Sequence, residues 1–308
     1  MPIRIQKDLP AREILENENI FIMDEDRAMH QDIRPLKIAL LNLMPKKEET
    51  ELQILRCLSN SPLQVDVTFV MVSSHESKNT SLSHLNRFYE HFDDIKDQYF
   101  DGMIITGAPI EFYDFEEVDF WDELTVIFDW CEKHVTSTMF QCWGAQAAVY
   151  YYYGINKVIL PEKLSGLFWH KAIHKSIPLI RGFDDYFLAP HSRNSEIPLQ
   201  AMRDCDKITV LCESEEAGFL LGMADEGRKV FIQGHPEYDR ITLLGEYERD
   251  KAKGLNIVPE NYFPDNDVTK RPPLMWRAHS TNLYMNWLNY YVYQITPYNL
   301  YGAPTLGK

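Results

Sequence analysis

Cys142, His235 and Glu237 are side chains of the three types that together make a thiol act as a nucleophile. A cysteine attacks carbonyl carbon as its thiolate, and an imidazole takes up or returns the proton. A carboxylate on the second ring nitrogen fixes the tautomer and steadies the imidazolium. Cys142 follows the apolar run Val135-Thr136-Ser137-Thr138-Met139-Phe140 and precedes Trp143-Gly144-Ala145. The run predicts a buried strand and the small residues a helix start, so the thiol is expected on a strand-to-helix turn. There, backbone N–H groups and the helix dipole favour thiolate over thiol. Gly144 lets such a turn tighten against its strand. His235 and Glu237 stand in Gly234-His235-Pro236-Glu237, directly after Val230-Phe231-Ile232, and so at the end of a second strand. The plainer fate of a cysteine is the core, and Cys57 and Cys131, on apolar helix faces, fit it.

The elements that must hold these groups alternate regularly through the first half. Apolar runs at 36–43, 65–70 and 102–106 predict strands. A helix is expected at 48–58, with Leu52, Leu55 and Leu58 on one face. A second is marked by Leu85, Phe88, Phe92 and Ile95, and a long one by Phe120, Trp121, Leu124, Ile127, Phe128 and Cys131. This order implies an α/β fold with a mostly parallel central sheet and helices on both faces. Ligands collect at the carboxyl ends of such strands, where both Cys142 and the Gly107-Ala108-Pro109 loop should lie.

The second half is less regular. Residues 155–200 carry many prolines and read as an elaborated insertion, 207–212 and 217–222 as antiparallel strands, and 240–253 and 280–293 as helices. No linker requires two units, so 1–308 is expected to form a single domain, with 1–32 an N-terminal arm over its surface. His170 and His174 are four apart but lack an intervening acid, so no metal site is expected.

Bulk properties narrow the function classes. With 45% hydrophobic residues the chain has ample material for a core, and a net charge of −15 argues against nucleic-acid binding. No apolar stretch reaches membrane-spanning length, and no secretory signal is visible at the N-terminus. Five irregularly spaced cysteines suit a reducing compartment, so a cytoplasmic location is expected.

The Phe140-Gln141-Cys142-Trp143-Gly144 elbow together with Gly234-His235-Pro236-Glu237 resembles the class I glutamine amidotransferase-like (flavodoxin-like) fold. Within that fold the chain resembles the homoserine O-acyltransferases of the MetA type. The likeness runs from Asn42-Leu43-Met44-Pro45-Lys46 through Thr106-Gly107-Ala108-Pro109 and Lys163-Leu164-Ser165-Gly166. It continues through Pro190-His191-Ser192-Arg193 to Glu246-Tyr247-Glu248-Arg249-Asp250. It implies acyl transfer from an acyl-CoA to the hydroxyl of L-homoserine in methionine biosynthesis, by a homodimer without a cofactor. Cys142 matches the thioester nucleophile, His235 the proton acceptor and Glu237 the third triad member. Lys163, Ser192 and Arg249 match substrate contacts, and a guanidinium at 249 would fork onto the homoserine carboxylate.

Glu111 bears on the acyl group. In the resembling family a glycine at this position goes with succinyl and an acid with acetyl, which implies acetyl-CoA as donor. Electrostatics agrees, since a succinyl carboxylate beside Glu111 in a partly dry pocket would be repelled. Three other readings share the scaffold. A glutamine amidotransferase normally serves a synthetase domain, for which this chain leaves no room. A binding protein would not need all three triad groups, and a peptidase would need a long cleft.

Overall fold

A computed structural model describes residues 3–6, 8–18, 20, 22–23, 34–75 and 79–296. The alternating apolar runs become strands β3 (Leu36–Leu41), β4 (Val65–Met71), β6 (Phe100–Ile105) and β7 (Val135–Gln141). They are linked by helices α2 (Lys47–Leu58) and α5 (Trp121–His134). β6 and β7 are buried along their whole length, as strands covered on both faces must be. Strand β12 (Lys229–Ile232) pairs in parallel with β7, and Ile232 sits opposite Gln141. The two strands that end in the Cys142 and His235 turns are therefore direct neighbours.

Among the described residues twelve strands form one sheet, and its character changes at β12. On one side β4, β3, β6, β7 and β12 run parallel. On the other, β11 (Gly218–Ala224), β10 (Ile208–Ser214), β8 (Val158–Ala172) and β9 (Tyr186–Glu196) continue in antiparallel pairs. Two apolar cores flank the sheet. One holds Phe128, Phe140 and Trp143, the other Leu55, Ile104 and Trp287. Cys57 and Cys131 lie in these cores, where burial pushes both thiols up to about 12.

Several expectations need correction. The stretch 155–200 is not an irregular insertion, because most of it is the long β8–β9 ribbon. Pro161 sits in an exposed part of β8, where the pairing register shifts between Ile159 and Leu164, so its missing N–H breaks no ladder. The single helix expected around 85–95 is instead α3 (Leu82–Phe88), a short strand β5 (Tyr89–His91) and α4 (Phe92–Ile95). Tyr89 and its neighbours pair with β4, and the Asp94 carboxylate caps the restart by accepting from the His91 N–H at 3.2 Å. The surface arm is more than an arm. β1 (Ile3–Arg4) pairs with β4 and with β2 (Ile22–Met23), and α1 (Ala11–Asn17) buries Leu15 completely. Residues 1, 2, 7, 19, 21 and 24–32 of that segment lie outside the described residues. The helix expected at 280–293 is α9 (Arg277–Asn286), which widens into a π-helical stretch, Trp287–Tyr293.

Candidate active site

Cys142 stands between β7 and helix α6 (Trp143–Tyr153) with φ 48°, a left-handed backbone conformation for a residue with a side chain. Single strained residues of this kind aim a nucleophile out of a strand-to-helix turn. The turn depends on Gly144, since a Cβ there would fall 2.6 Å from the Thr106 carbonyl oxygen. Gly107 flanks the thiol in the same way, because its Cβ would come within 3.0 Å of the Cys142 Cβ. The Cys142 N–H donates to the Ile232 carbonyl oxygen at 2.7 Å, tying the elbow to β12.

From the end of β12 the His235 Nδ1 meets the Glu237 Oε1 at 2.7 Å, and the His235 side chain interacts electrostatically with Cys142. All three residues are buried. Burial opposes charge on the imidazole, but the Cys142 sulfur and the Glu237 carboxylate outweigh it and raise the His235 pKa well above the usual histidine range. The geometry thus sets a sulfur, an imidazole and an orienting carboxylate in one row. Tyr238 stacks on the imidazole with centroids 4.2 Å apart, which limits ring rotation.

On the β12 side of the sulfur lies a charged cluster. Helix α8 (Thr242–Ala252) presents Glu246 and Asp250 four residues apart. Lys163 from β8 bonds both, at 3.3 and 2.7 Å, Ser192 from β9 donates to Glu246, and the Tyr238 hydroxyl donates to it at 2.9 Å. Burial works against the Glu246 charge, but Lys163, Ser192 and His235 more than offset it and lower its pKa. Arg249 sits at the rim with its side chain 52% exposed, donating to Asp250 at 3.0 Å. Lys163, Ser192 and Arg249 are therefore brought together next to the triad. Sequence reasoning missed Glu246, Asp250 and Tyr238 as members of the cluster. The four-residue spacing of the two acids was a usable signal, as was Tyr238 directly after the His-Pro-Glu turn.

On the β6 side the sulfur is bordered by the loop after Ile105, where a cavity of about 430 Å³ opens among Asn42–Pro45, Val72, Ala108–Ile110, Tyr113 and Glu117–Phe120. Lys47 lines its inner end, buried, with burial bringing its pKa down to about 8. Glu111 is buried in the turn just past Ile110, so its side chain is not simply turned to water. Its charge acts on Lys157, whose amine bonds the Tyr113 carbonyl oxygen at 2.7 Å above the Phe115 ring.

His170 lies on β8 and not on a helix, and its Nε2 meets the His191 Nε2 at 3.0 Å. Burial lowers the pKa of both rings, that of His170 to about 4, so one neutral ring donates to the other. Among the described residues no group of three or more His, Cys, Asp or Glu side chains is placed to hold a metal. Among the described residues, likewise, no helix is long and apolar enough to cross a membrane.

The family model of homoserine O-succinyltransferase matches residues 2–298. The chain belongs to that family, the homoserine O-acyltransferases. It is accordingly an acyltransferase. A protein of Agathobacter rectalis named homoserine O-acetyltransferase is 60% identical over 299 residues, covering 97% of this chain and 96% of its own. One of the same name from Lachnoclostridium phytofermentans is 59% identical over 301 residues, covering 97% and 100%. A solved glutamine amidotransferase from Methylobacillus flagellatus is similar in fold alone. It is 13% identical, covers 83% of this chain and 95% of its own, and superposes with a TM-score of 0.51. The fold is thus that of the class I glutamine amidotransferase-like proteins, and this family uses it for acyl transfer.

Proposed function

We propose that this acyltransferase is a homoserine O-acetyltransferase that carries the acetyl group on Cys142. The Cys142 thiolate attacks the carbonyl carbon of acetyl-CoA and forms a new C–S bond. The tetrahedral oxyanion is met by backbone N–H groups at the Cys142 turn and at the Gly107-Ala108 start of the facing loop, since the Ile110 N–H already donates to the Ala108 carbonyl oxygen. The bond to the CoA sulfur breaks as His235 gives that sulfur its proton. Neutral His235 then takes the homoserine hydroxyl proton, the oxygen attacks the thioester, and collapse restores the thiolate–imidazolium pair. Kinetics of this kind are ping-pong.

The observation that carries this reading is the His235 imidazole, hydrogen-bonded to Glu237 and interacting with Cys142 within a buried site. The acceptor is a zwitterion, and the β12-side cluster suits one. Arg249 takes the carboxylate at the rim, and Glu246 draws the ammonium towards His235, with Lys163 and Ser192 holding that acid in place.

The family description names succinyl, whereas the relatives at 59–60% identity are named for acetyl. Glu111, buried in the turn after Ile110, favours acetyl, because a succinyl carboxylate brought beside its own would cost several kcal/mol. The odd cysteine set favours the reducing cytoplasm, and the family resemblance favours a homodimer without a cofactor. Mass spectrometry of protein mixed with acetyl-CoA, homoserine omitted, tests the chemistry. One acetyl increment mapped to Cys142 is expected, and its absence alongside ammonia release from glutamine would sink the proposal.

A further inference from the structure

The Glu237 carboxylate has few bonds of its own. Its Oε1 meets the His235 Nδ1 at 2.7 Å, while its Oε2 is buried with no hydrogen-bond partner among the described residues. A carboxylate so placed takes its direction from the backbone that carries it. Pro236 brings no N–H to that turn, which is fastened on either side instead. Before it, the His235 N–H donates to the Pro190 carbonyl oxygen at 2.8 Å. After it, the Trp276 Nε1 donates to the Tyr238 carbonyl oxygen at 3.0 Å. The Asp239 carboxylate then accepts from the Arg56 Nη1 and, at 3.1 Å, from the Arg277 Nη2.

Arg56 serves two acids at once. It lies in the last turn of α2 with its side chain only 11% exposed, and its Nε and Nη2 fork onto Glu18 at 2.6 and 2.7 Å. Glu18 directly follows α1, which Leu15 anchors in the core. One guanidinium therefore joins a carboxylate 38 positions upstream to one 183 positions downstream. Gln53, also on α2, donates to the Thr242 hydroxyl at 3.0 Å, and that hydroxyl accepts the Asp239 N–H at 3.1 Å. Helix α2 thus grips the far end of the turn twice.

We propose that Arg56 is a positioning residue for the triad: braced by Glu18, it holds Asp239 and, through it, the turn that aims Glu237 at His235. This rests on the acyl-enzyme reading above.

Arg56→Lys keeps the charge and loses the fork, and Asp239→Asn removes the far partner's charge. Arg56→Lys is expected to lower kcat/KM for homoserine by about tenfold, inside the roughly hundredfold that a misplacement of about 1 Å can cost. The double variant should lose no more than Asp239→Asn alone, because both changes act through one contact. A pH profile separates positioning from simple attachment of α1. Against burial, Cys142 and Glu237 raise the His235 pKa, and once the sulfur carries acetyl only the carboxylate keeps its charge. A displaced Glu237 therefore moves the acid limb of kcat/KM for homoserine to lower pH. Glu246 and the neutral His191, which also face His235, are unaltered in these variants. If Arg56→Lys fails to fold, Glu18→Gln reads the same brace from its exposed end, with a smaller loss of about threefold and the same direction of the limb. Unchanged kcat/KM in a folded Arg56→Lys, losses that multiply in the double variant, or an unmoved limb overturns the assignment. If acetyl-CoA leaves no adduct on wild-type Cys142, the acyl-enzyme reading falls and takes this role with it. An adduct on the wild type, beside Arg56 variants that behave as wild type, removes the positioning role alone.

Discussion

The parallel and antiparallel halves of the sheet place their functional groups by different means. In the parallel half, β6, β7 and β12 are buried throughout, so their side chains are occupied with packing. Function there sits on the turns just past the strand ends, at Gly107, Cys142 and His235, and backbone geometry aims it. The antiparallel half uses the strands themselves. Along β9, His191 and Arg193 point into the interior while Ser192 between them faces the cluster. Helix α8 adds Glu246 and Asp250 by the same periodic logic. Strand ends place single reactive atoms, whereas strand and helix faces place groups of charges.

The largest test of this contrast is at the junction. Cys142→Ala should lower kcat by a factor on the order of 10⁴ or more and leave no acetyl adduct, because both halves act through one sulfur. A steady-state assay of homoserine consumption checks it, and an undiminished rate breaks the division of labour altogether.

Glu237→Gln probes the orienting carboxylate and should cost roughly a hundredfold in kcat. It also carries a pH signature. Cys142 and Glu237 raise the pKa of His235, so the folded protein holds that proton above the ordinary histidine value of about 6.5. The stability this contributes is complete below that value and is lost as pH rises through the raised one. Glu237→Gln removes part of the stabilisation, so its stability deficit should be largest below about pH 6.5 and narrow as pH rises through the raised value. Urea denaturation at a series of pH values reads this, and a deficit constant with pH would count against the ion-pair assignment.

Glu111→Gly sharpens the contrast from the parallel side alone. It should shift the ratio of kcat/KM values towards succinyl-CoA by about tenfold or more, with little change in KM for homoserine. An unaltered ratio would remove Glu111 as the reason for acetyl.

Much of the parallel half was legible. Continuous apolar runs bounded by Gly or Pro are strong strand signals, and Cys142 and His235 each stand just after one. The β8–β9 ribbon was not, because prolines and basic residues along 155–200 obscured an alternation that shows in burial only from Phe168 onward on β8. Leu85, Phe88, Phe92 and Ile95 misled for a related reason. Their spacing suits one helix, but between them Tyr89 pairs with β4 and its hydroxyl donates to Glu51 at 2.6 Å, which holds an extended segment there. Glu246 stood in a stretch already noted for its resemblance, and only its four-residue spacing from Asp250 sets it apart from Glu248, which is exposed on the same helix.

By itself the amino-acid sequence determined the elbow, the thiol that stands on it and the alternation that forces a parallel core, because these follow from residue type and near-neighbour spacing. Only the tertiary structure decided that β12 lies beside β7, bringing His235 to a cysteine 93 positions away. Only it set Lys163, Ser192 and Glu246 in one cluster and opened a cavity on the other side of the sulfur. Strand order and the meeting of distant side chains depend on how whole faces pack, and that information is spread over the entire chain.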